Sequence, residues 1–195
     1  RQSIFYIIIL CLTAFIVLLQ FNLLTIYLGM GSMLLAFTYP FMKRITYWPQ
    51  LFLGLTFNWG LIMGWVAINN DLSFEIIIFY ISAIFWTLGY DTIYGAQDMT
   101  DDEIIGIKST SIKFKNNINL FIGCSYFLAS ALICFTFINE IGSNFFTLFL
   151  VLFILTLIYQ VKSFDKKKLV NSLRLFKLNN ISGLLLFIGI LLVDL

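Results

Sequence analysis

Carboxylates are concentrated in one short segment of an otherwise apolar chain. The chain is 61% hydrophobic and has only 10 aspartates and glutamates, yet half of these acids fall within thirteen residues: Asp91, Asp98, Asp101, Asp102 and Glu103. A helix turns about 100° per residue, so in a continuous helix Asp98 and Asp102 would return to within about 20° of the direction of Asp91. The spacing therefore predicts a stripe of three carboxylates, with Tyr94 near the same face.

A stripe of this kind favours binding of a divalent cation. Like charges repel, and carboxylates near a bilayer are costly to desolvate. Mg²⁺ prefers hard oxygen ligands and commonly joins one or two carboxylates to a phosphate group. The four-residue spacing of Asp98 and Asp102 suits this use, with Cβ atoms about 6 Å apart on a helix. The alternative is a solvated helix end whose acids contact only water and nearby lysines, as we predict for Asp101 and Glu103.

Basic residues near the acids indicate what the metal would hold. Lys108 follows the acids in "GIKST", and "YPFMKR" places Lys43 and Arg44 at the same predicted membrane face. Cations beside a metal-bound carboxylate cluster suggest a polyanionic ligand such as a diphosphate. For Lys43 and Arg44 the alternative is a topology anchor. Asn58, a polar residue within an apolar run, is a candidate substrate contact or a helix–helix hydrogen bond.

Other kinds of site are excluded by composition. The chain contains no histidine, which removes the Ser-His-Asp triad and imidazole metal sites. It also has no G-x-x-x-x-G-K-[ST] loop, so a nucleotide site of that type is not expected.

The elements that must position these residues are membrane helices. Mean hydropathy is +0.96 and only 11% of residues are charged, which predicts an all-α, polytopic transmembrane bundle, since the apolar runs are too long for barrel strands. Seven runs can be read: Ile4–Leu19, Leu23–Phe41, Leu51–Ile68, Phe74–Gly89, Ile118–Ile138, Phe145–Tyr159 and Ile181–Val193.

Threading the chain through these runs places all 12 lysines and arginines on one side of the membrane. The basic side is predicted to face the cytoplasm, or the matrix in a mitochondrial membrane. On this side, the segment from Lys162 to Asn180 is predicted to form an amphipathic helix on the membrane surface.

Three stretches resemble a known family. "DTIYGAQDMTDDEIIGIKST" resembles the second aspartate-rich motif, D-x-x-Y-x-x-x-D-x-x-x-D, of the UbiA family of intramembrane aromatic prenyltransferases. "YPFMKRITYWPQLFLGLTFNWG" is similar to that family's Y-P-x-x-K-R segment, and "LRLFKLNNISGLLLF" is similar to its C-terminal end. The first two stretches match closely the branch of the family that acts on 4-hydroxybenzoate.

This resemblance implies a fold and an extent. Residues 1–195 would form a single prenyltransferase domain with seven of an expected nine helices. The family's first motif, N-D-x-x-D-x-x-x-D, is absent from the sequence, so we expect an N-terminally incomplete chain that is inactive alone.

The resemblance also implies an activity and its residues. A polyprenyl chain would pass from polyprenyl diphosphate to the 4-hydroxybenzoate ring, ortho to the hydroxyl, with Mg²⁺ as cofactor, as a step of ubiquinone biosynthesis. The implied partners are these two substrates and membrane lipid, without nucleic acid, in a bacterial or mitochondrial inner membrane. The implied metal ligands are Asp98 and Asp102, with Asp91 contacting metal-bound water or orienting the acceptor. Contacts to the diphosphate are implied for four residues: Tyr94, Lys43, Arg44 and Lys108.

Two other functions stay open. The acceptor could instead be homogentisate, a naphthoate, a chlorophyllide or haem. A different class, the ion-coupled transporter, would place acids near the bilayer midplane on broken helices, whereas here the acids cluster at one predicted surface.

Overall fold

The chain folds as a bundle of α-helices. The structure is a computed structural model that describes residues 2–165 and 169–193. These residues form ten helices: α1 Gln2–Leu18, α2 Leu23–Ile45, α3 Pro49–Phe57, α4 Trp59–Asn69, α5 Phe74–Gly95, α6 Met99–Ile105, α7 Thr110–Lys113, α8 Ile118–Thr136, α9 Phe145–Ser163 and α10 Leu169–Leu191. The prediction of an all-α fold is confirmed.

Local sequence explains where many helices begin. Asn22, Ser73 and Asn144 precede α2, α5 and α9, and the side chain of each accepts a hydrogen bond from a backbone N–H of the first turn. Such caps satisfy backbone donors that have no partner inside the helix. Pro49 begins α3, where a missing N–H carries no penalty.

The predicted membrane spans agree with the observed helices. Six stretches among the described residues are long and apolar enough to cross a membrane by length and composition: Leu23–Ile45, Pro49–Asn69, Phe74–Gly95, Ile118–Thr136, Phe145–Ser163 and Asn171–Leu191. Ile4–Leu18 is a shorter apolar helix that corresponds to the first predicted run. The third run is interrupted at Asn58, which separates α3 from α4. The chain is a multi-pass membrane protein.

Contacts between connecting segments confirm the alternating direction of the helices. At one end of the bundle, the backbone N–H of Lys108 donates to the carbonyl of Lys43 over 2.8 Å, and Asn119 at the start of α8 donates to the carbonyl of Phe164 over 3.2 Å. At the other end, Asn22 donates to the carbonyl of Val66 over 2.7 Å. The described basic connections therefore meet at a common end, which we call the basic face.

The core lies between α5, α8, α9 and α10. Its fully buried side chains include Ile93, Ile122, Phe146, Phe153 and Leu157. A smaller cluster packs α4 against α5 around Ile62, Val66, Tyr80 and Ile84. By contrast, most large side chains of α1 are exposed.

A polar network joins the same four helices inside this core. The Tyr126 hydroxyl donates to Gln160 Oε1 over 2.6 Å, and Asn179 Nδ2 donates to the same oxygen over 3.1 Å. Trp86 Nε1 donates to Asn179 Oδ1 over 2.9 Å, while the hydroxyls of Thr156 and Ser182 share a hydrogen bond of 2.7 Å. Polar groups that cannot reach water are paired across helices, as membrane packing requires.

The prediction of a surface helix between Lys162 and Asn180 is wrong for most of this segment. From Leu169 onward the chain belongs to the single helix α10, which continues to Leu191; residues 166–168 lie outside the described residues. Leu175 is buried in the core and Asn179 joins the polar network, so these contacts hold the segment in the bundle. The last predicted run, Ile181–Val193, therefore covers only the second half of a helix.

Candidate active site

The predicted continuous stripe of carboxylates is wrong, because the helix that carries Asp91 ends before Asp98. Helix α5 stops at Gly95, and α6 begins at Met99 with Asp98 at its N-cap position. The short helix α6 then ends at Gly106, whose φ of 74° is the left-handed conformation that glycine adopts readily.

The last turn of α5 is closely packed at Gly95. A Cβ atom at Gly95 would lie 2.9 Å from Ser111 Oγ and 3.2 Å from Gln50 Nε2. The Ser111 hydroxyl also donates to the Thr92 carbonyl over 2.8 Å, in the last turn of α5. The segment after α6 thus occupies the space beside this turn, and the chain leaves the helical path there.

The three aspartates consequently differ in environment. Asp91 is half-buried in the last turn of α5, Asp98 is exposed, and Asp102 in α6 is 7% exposed. Within residues 2–165 and 169–193 no side-chain hydrogen bond involves any of the three, and no group of three His, Cys, Asp or Glu residues could hold a metal ion. Their carboxylate oxygens are thus available but do not form a preassembled cluster.

Among the predicted cations, Lys43 lies near one of the acids at the basic face. The Lys43 ammonium interacts electrostatically with Asp91, and so does the neighbouring Tyr39 of α2. Arg44 is exposed. Lys108 Nζ donates to the carbonyl of Ile45 over 3.1 Å, a position in which a cation also stabilises the negative end of the α2 dipole.

Sequence reasoning missed a buried polar cluster that holds this arrangement together; we call Gln50, Thr92, Thr110 and Ser111 the polar lock. Gln50 Oε1 accepts from the backbone N–H of Thr110 over 3.0 Å, and the hydroxyls of Thr92 and Thr110 are 2.7 Å apart. All four side chains are at most 3% exposed. The lock ties α3, α5 and α7 together beside the acids. Its sequence signal is the polar triplet Ser109–Ser111, which lies between Lys108 and Ile112.

Removing the Gln50 amide is expected to loosen this lock. In Gln50→Leu the buried N–H of Thr110 has no acceptor, which costs about 1–3 kcal/mol. Amide hydrogen exchange should accelerate across residues 106–113 while the centre of α8 stays protected. Gln20→Leu, at an exposed glutamine, should leave exchange in this segment unchanged. Equal exchange in Gln50→Leu and the parent protein would show that the hydrogen bond does not hold the loop.

Aromatic rings cover another side of the site. Phe176 of α10 lies 4.7 Å from the Tyr94 ring and 5.8 Å from the Tyr90 ring, measured between centroids. These two tyrosines flank Asp91 along α5, and Tyr94 keeps 40% of its surface exposed. Sequence reasoning did not single out Phe176.

Asn58 lies between α3 and α4, and its side chain is hydrogen-bonded to α5. Its side-chain amide donates to Thr87 Oγ1 over 2.8 Å and to the carbonyls of Gly54 and Ala83 over 2.9 and 3.3 Å. This is the helix–helix bonding considered as its alternative role, and its substrate contact stays a prediction.

The donor set of the acidic segment fits Mg²⁺. Asp98 and Asp102 offer hard oxygens without competing hydrogen bonds in the described part of the chain. Mg²⁺ usually keeps several waters and takes one or two carboxylates together with substrate phosphates, so a preformed cluster of three acids is not required.

Comparison with known proteins defines the family of the chain. The model of the UbiA prenyltransferase family matches residues 1–181. The chain belongs to this family.

Curated relatives share one name. The chain is 40% identical over 192 residues to the mitochondrial 4-hydroxybenzoate polyprenyltransferase of Bos taurus, covering 92% of this chain and 48% of the relative. The Aedes aegypti protein of the same name is 37% identical over 190 residues, covering 91% of this chain and 40% of the relative. The Homo sapiens protein of that name is 55% identical over 102 residues, covering 52% of this chain and 28% of the relative. The chain thus spans less than half the length of these relatives.

Solved structures share the fold. A UbiA homolog from Aeropyrum pernix K1, 21% identical, superposes with a TM-score of 0.76 over 93% of this chain and 68% of that chain. A digeranylgeranylglyceryl phosphate synthase, 17% identical, superposes with a TM-score of 0.70 over 93% of this chain and 65% of that chain.

Proposed function

We propose that the protein containing this chain transfers a polyprenyl group from polyprenyl diphosphate to the ring of 4-hydroxybenzoate, ortho to the hydroxyl, as a step of ubiquinone biosynthesis. One observation carries the proposal: Asp91 and the acidic helix α6 adjoin Lys43 and Lys108 at the basic face of an apolar bundle. This arrangement suits a ligand with a polyanionic head and a hydrocarbon tail. Membership of the prenyltransferase family and the names of the relatives support the reaction.

In this proposal the acids and bases of the basic face bind the diphosphate. Asp98 and Asp102 would hold Mg²⁺, which would supply positive charge to the leaving diphosphate. Lys43, Arg44 and Lys108 neutralise further phosphate oxygens, and the Tyr94 hydroxyl donates to another. The allylic C–O bond breaks and its electron pair leaves with the diphosphate. The ring carbon ortho to the hydroxyl then bonds to the allylic carbon, and its proton passes to solvent.

Asp91 is assigned to the acceptor. It lies one helical turn before Tyr94 on α5 and half-buried beside Lys43 and Tyr39, so it sits deeper in the bundle than Asp98. We assign it the task of orienting the aromatic substrate against the allylic carbon, a positioning effect. Asn58 is a second proposed contact for the substrate.

The reaction is tested with full-length protein in lipid vesicles. Radiolabelled polyprenyl diphosphate and 4-hydroxybenzoate should give a ring-prenylated acid and free diphosphate with Mg²⁺, and none after chelation by EDTA. Parallel reactions contain homogentisate or a dihydroxynaphthoate. Faster transfer to one of these acceptors would reassign the substrate, and turnover undiminished by EDTA would refute the metal assignment.

The proposal also includes an orientation in a bacterial or mitochondrial inner membrane. The basic face should lie on the cytoplasmic or matrix side, because Lys and Arg are retained there. Asn116 and Asn139 are both exposed and lie at opposite ends of α8. With Cys11, Cys124 and Cys134 replaced by alanine, a membrane-impermeant maleimide applied outside intact bacterial cells should label Asn139→Cys but not Asn116→Cys. Labelling of both variants from the outside would contradict the arrangement.

A further inference from the structure

A second charged groove lies away from the acidic segment, between α9 and α10. The groove is a cavity of about 330 Å³. It is lined by Tyr159, Arg174, Leu175, Lys177, Leu178 and Ile181. None of these residues belongs to the proposed catalytic machinery.

The two cations of the groove are exposed. Arg174 and Lys177 are three residues apart, so they project from neighbouring positions of one helical face. Within residues 2–165 and 169–193 neither forms an ion pair. Two uncompensated cations at the edge of a membrane helix attract an anion.

The groove changes from basic to apolar along the membrane normal. Helix α10 starts at Leu169 near the basic face and rises about 1.5 Å per residue. Lys177 therefore lies roughly 12 Å along the helix, and Ile181 roughly 18 Å. Lys and Arg reach back toward the headgroups while their stems remain in the apolar region. Ile181 and Leu178 continue the groove toward the hydrocarbon.

The walls of the groove are held in place by the polar network of the core. Tyr159 of α9 precedes Gln160, which bonds to Asn179 of α10 with an Nδ2–Oε1 distance of 3.1 Å. The hydroxyls of Thr156 and Ser182 join the same two helices over 2.7 Å. The two sides of the groove are thus fixed relative to one another before a ligand arrives.

We propose that this groove binds one anionic phospholipid. Arg174 and Lys177 contact its headgroup phosphate, and one acyl chain follows Leu178 and Ile181. Basic pockets between transmembrane helices on the cytoplasmic or matrix side are suited to such headgroups. Hydrogen bonds from a charged Lys or Arg to phosphate are also stronger than those between neutral groups. The occupant is a lipid and not a free phosphate because the apolar half of the groove needs a hydrocarbon partner.

Native mass spectrometry of the purified full-length protein, titrated with phosphatidylglycerol or phosphatidylcholine, tests the proposal. Arg174→Gln/Lys177→Gln should weaken phosphatidylglycerol binding about thirtyfold, since each cation near an anionic surface contributes a factor of about five. Phosphatidylcholine binding should change little. Lys113→Gln/Lys115→Gln removes the same charge elsewhere on the basic face and should retain phosphatidylglycerol binding. Arg174→Lys/Lys177→Arg preserves the charges and should also retain it.

Three results would overturn the proposal. Equal losses of phosphatidylglycerol binding in both glutamine double variants would indicate that the lipid is attracted to the whole basic face and not to a specific site. Displacement of the lipid by an equal concentration of inorganic phosphate would indicate a free-anion site. Loss of binding in the charge-preserving variant, with an unchanged unfolding midpoint, would show that the two charges do not hold the headgroup.

Discussion

Asp98→Asn and Asp102→Asn are each expected to lower Mg²⁺-dependent prenyl transfer at least about tenfold, equivalent to about 1.4 kcal/mol of transition-state stabilisation. Each change removes one anionic ligand from the proposed metal and leaves the side chain nearly the same size. Initial rates in vesicles, measured across a range of Mg²⁺ concentrations, should show that both variants need more metal for half-maximal activity.

The structure provides controls for this prediction. Asp98 makes no side-chain capping bond, and asparagine caps helices as well as aspartate does, so Asp98→Asn should not weaken α6. Asp101 lies on the same helix and is exposed, which makes Asp101→Asn a charge-matched control with little expected effect. Equal losses at the three positions would refute the assignment of Asp98 and Asp102 as metal ligands.

Gly89→Ala is expected to destabilise the bundle by about 1–3 kcal/mol, the usual effect of overpacking a core. A Cβ atom at this position would lie 2.3 and 2.5 Å from two ring atoms of Tyr126. The ring cannot withdraw freely, because its hydroxyl donates to Gln160 over 2.6 Å inside the core. Thermal unfolding in detergent should give a lower midpoint for the variant than for the parent protein.

Gly64→Ala is the matched control for this substitution. Gly64 lies in α4, and no atom comes within 4 Å of a Cβ built there. Alanine is favoured over glycine inside a helix by about 0.5–1 kcal/mol, so Gly64→Ala should leave the midpoint unchanged or raise it. Tyr126→Leu, combined with Gly89→Ala, should recover part of the loss by making room. A stable Gly89→Ala protein would show that α5 and α8 separate at little cost.

The acidic segment shows how far sequence reasoning reached in the candidate site. The residue types and the spacing of Asp98 and Asp102 predicted Mg²⁺ chemistry, which stays a prediction. The assumption of one helix from Asp91 to Asp102 was wrong, because α5 ends at Gly95, where Ser111 and Gln50 pack against it. These partners are 16 and 45 residues from Gly95 in the sequence, and no local pattern shows that they meet it.

The sequence by itself determined the class of the protein and the direction of its helices. Long apolar runs can satisfy their backbone groups inside a membrane only as helices, and cations concentrated on one side of the threaded chain indicate how it is threaded. Both properties are local, so they can be read without a structure.

Only the tertiary structure decided how helix ends and polar side chains are used. Leu169 to Asn180 could lie on the membrane surface by composition, but Leu175 and Asn179 are held in the bundle by residues of other helices. Thr92, Thr110 and Gln50 likewise form the polar lock only because α3, α5 and α7 meet at the basic face. A buried polar group must find a hydrogen-bond partner, and the fold determines which distant residue supplies it.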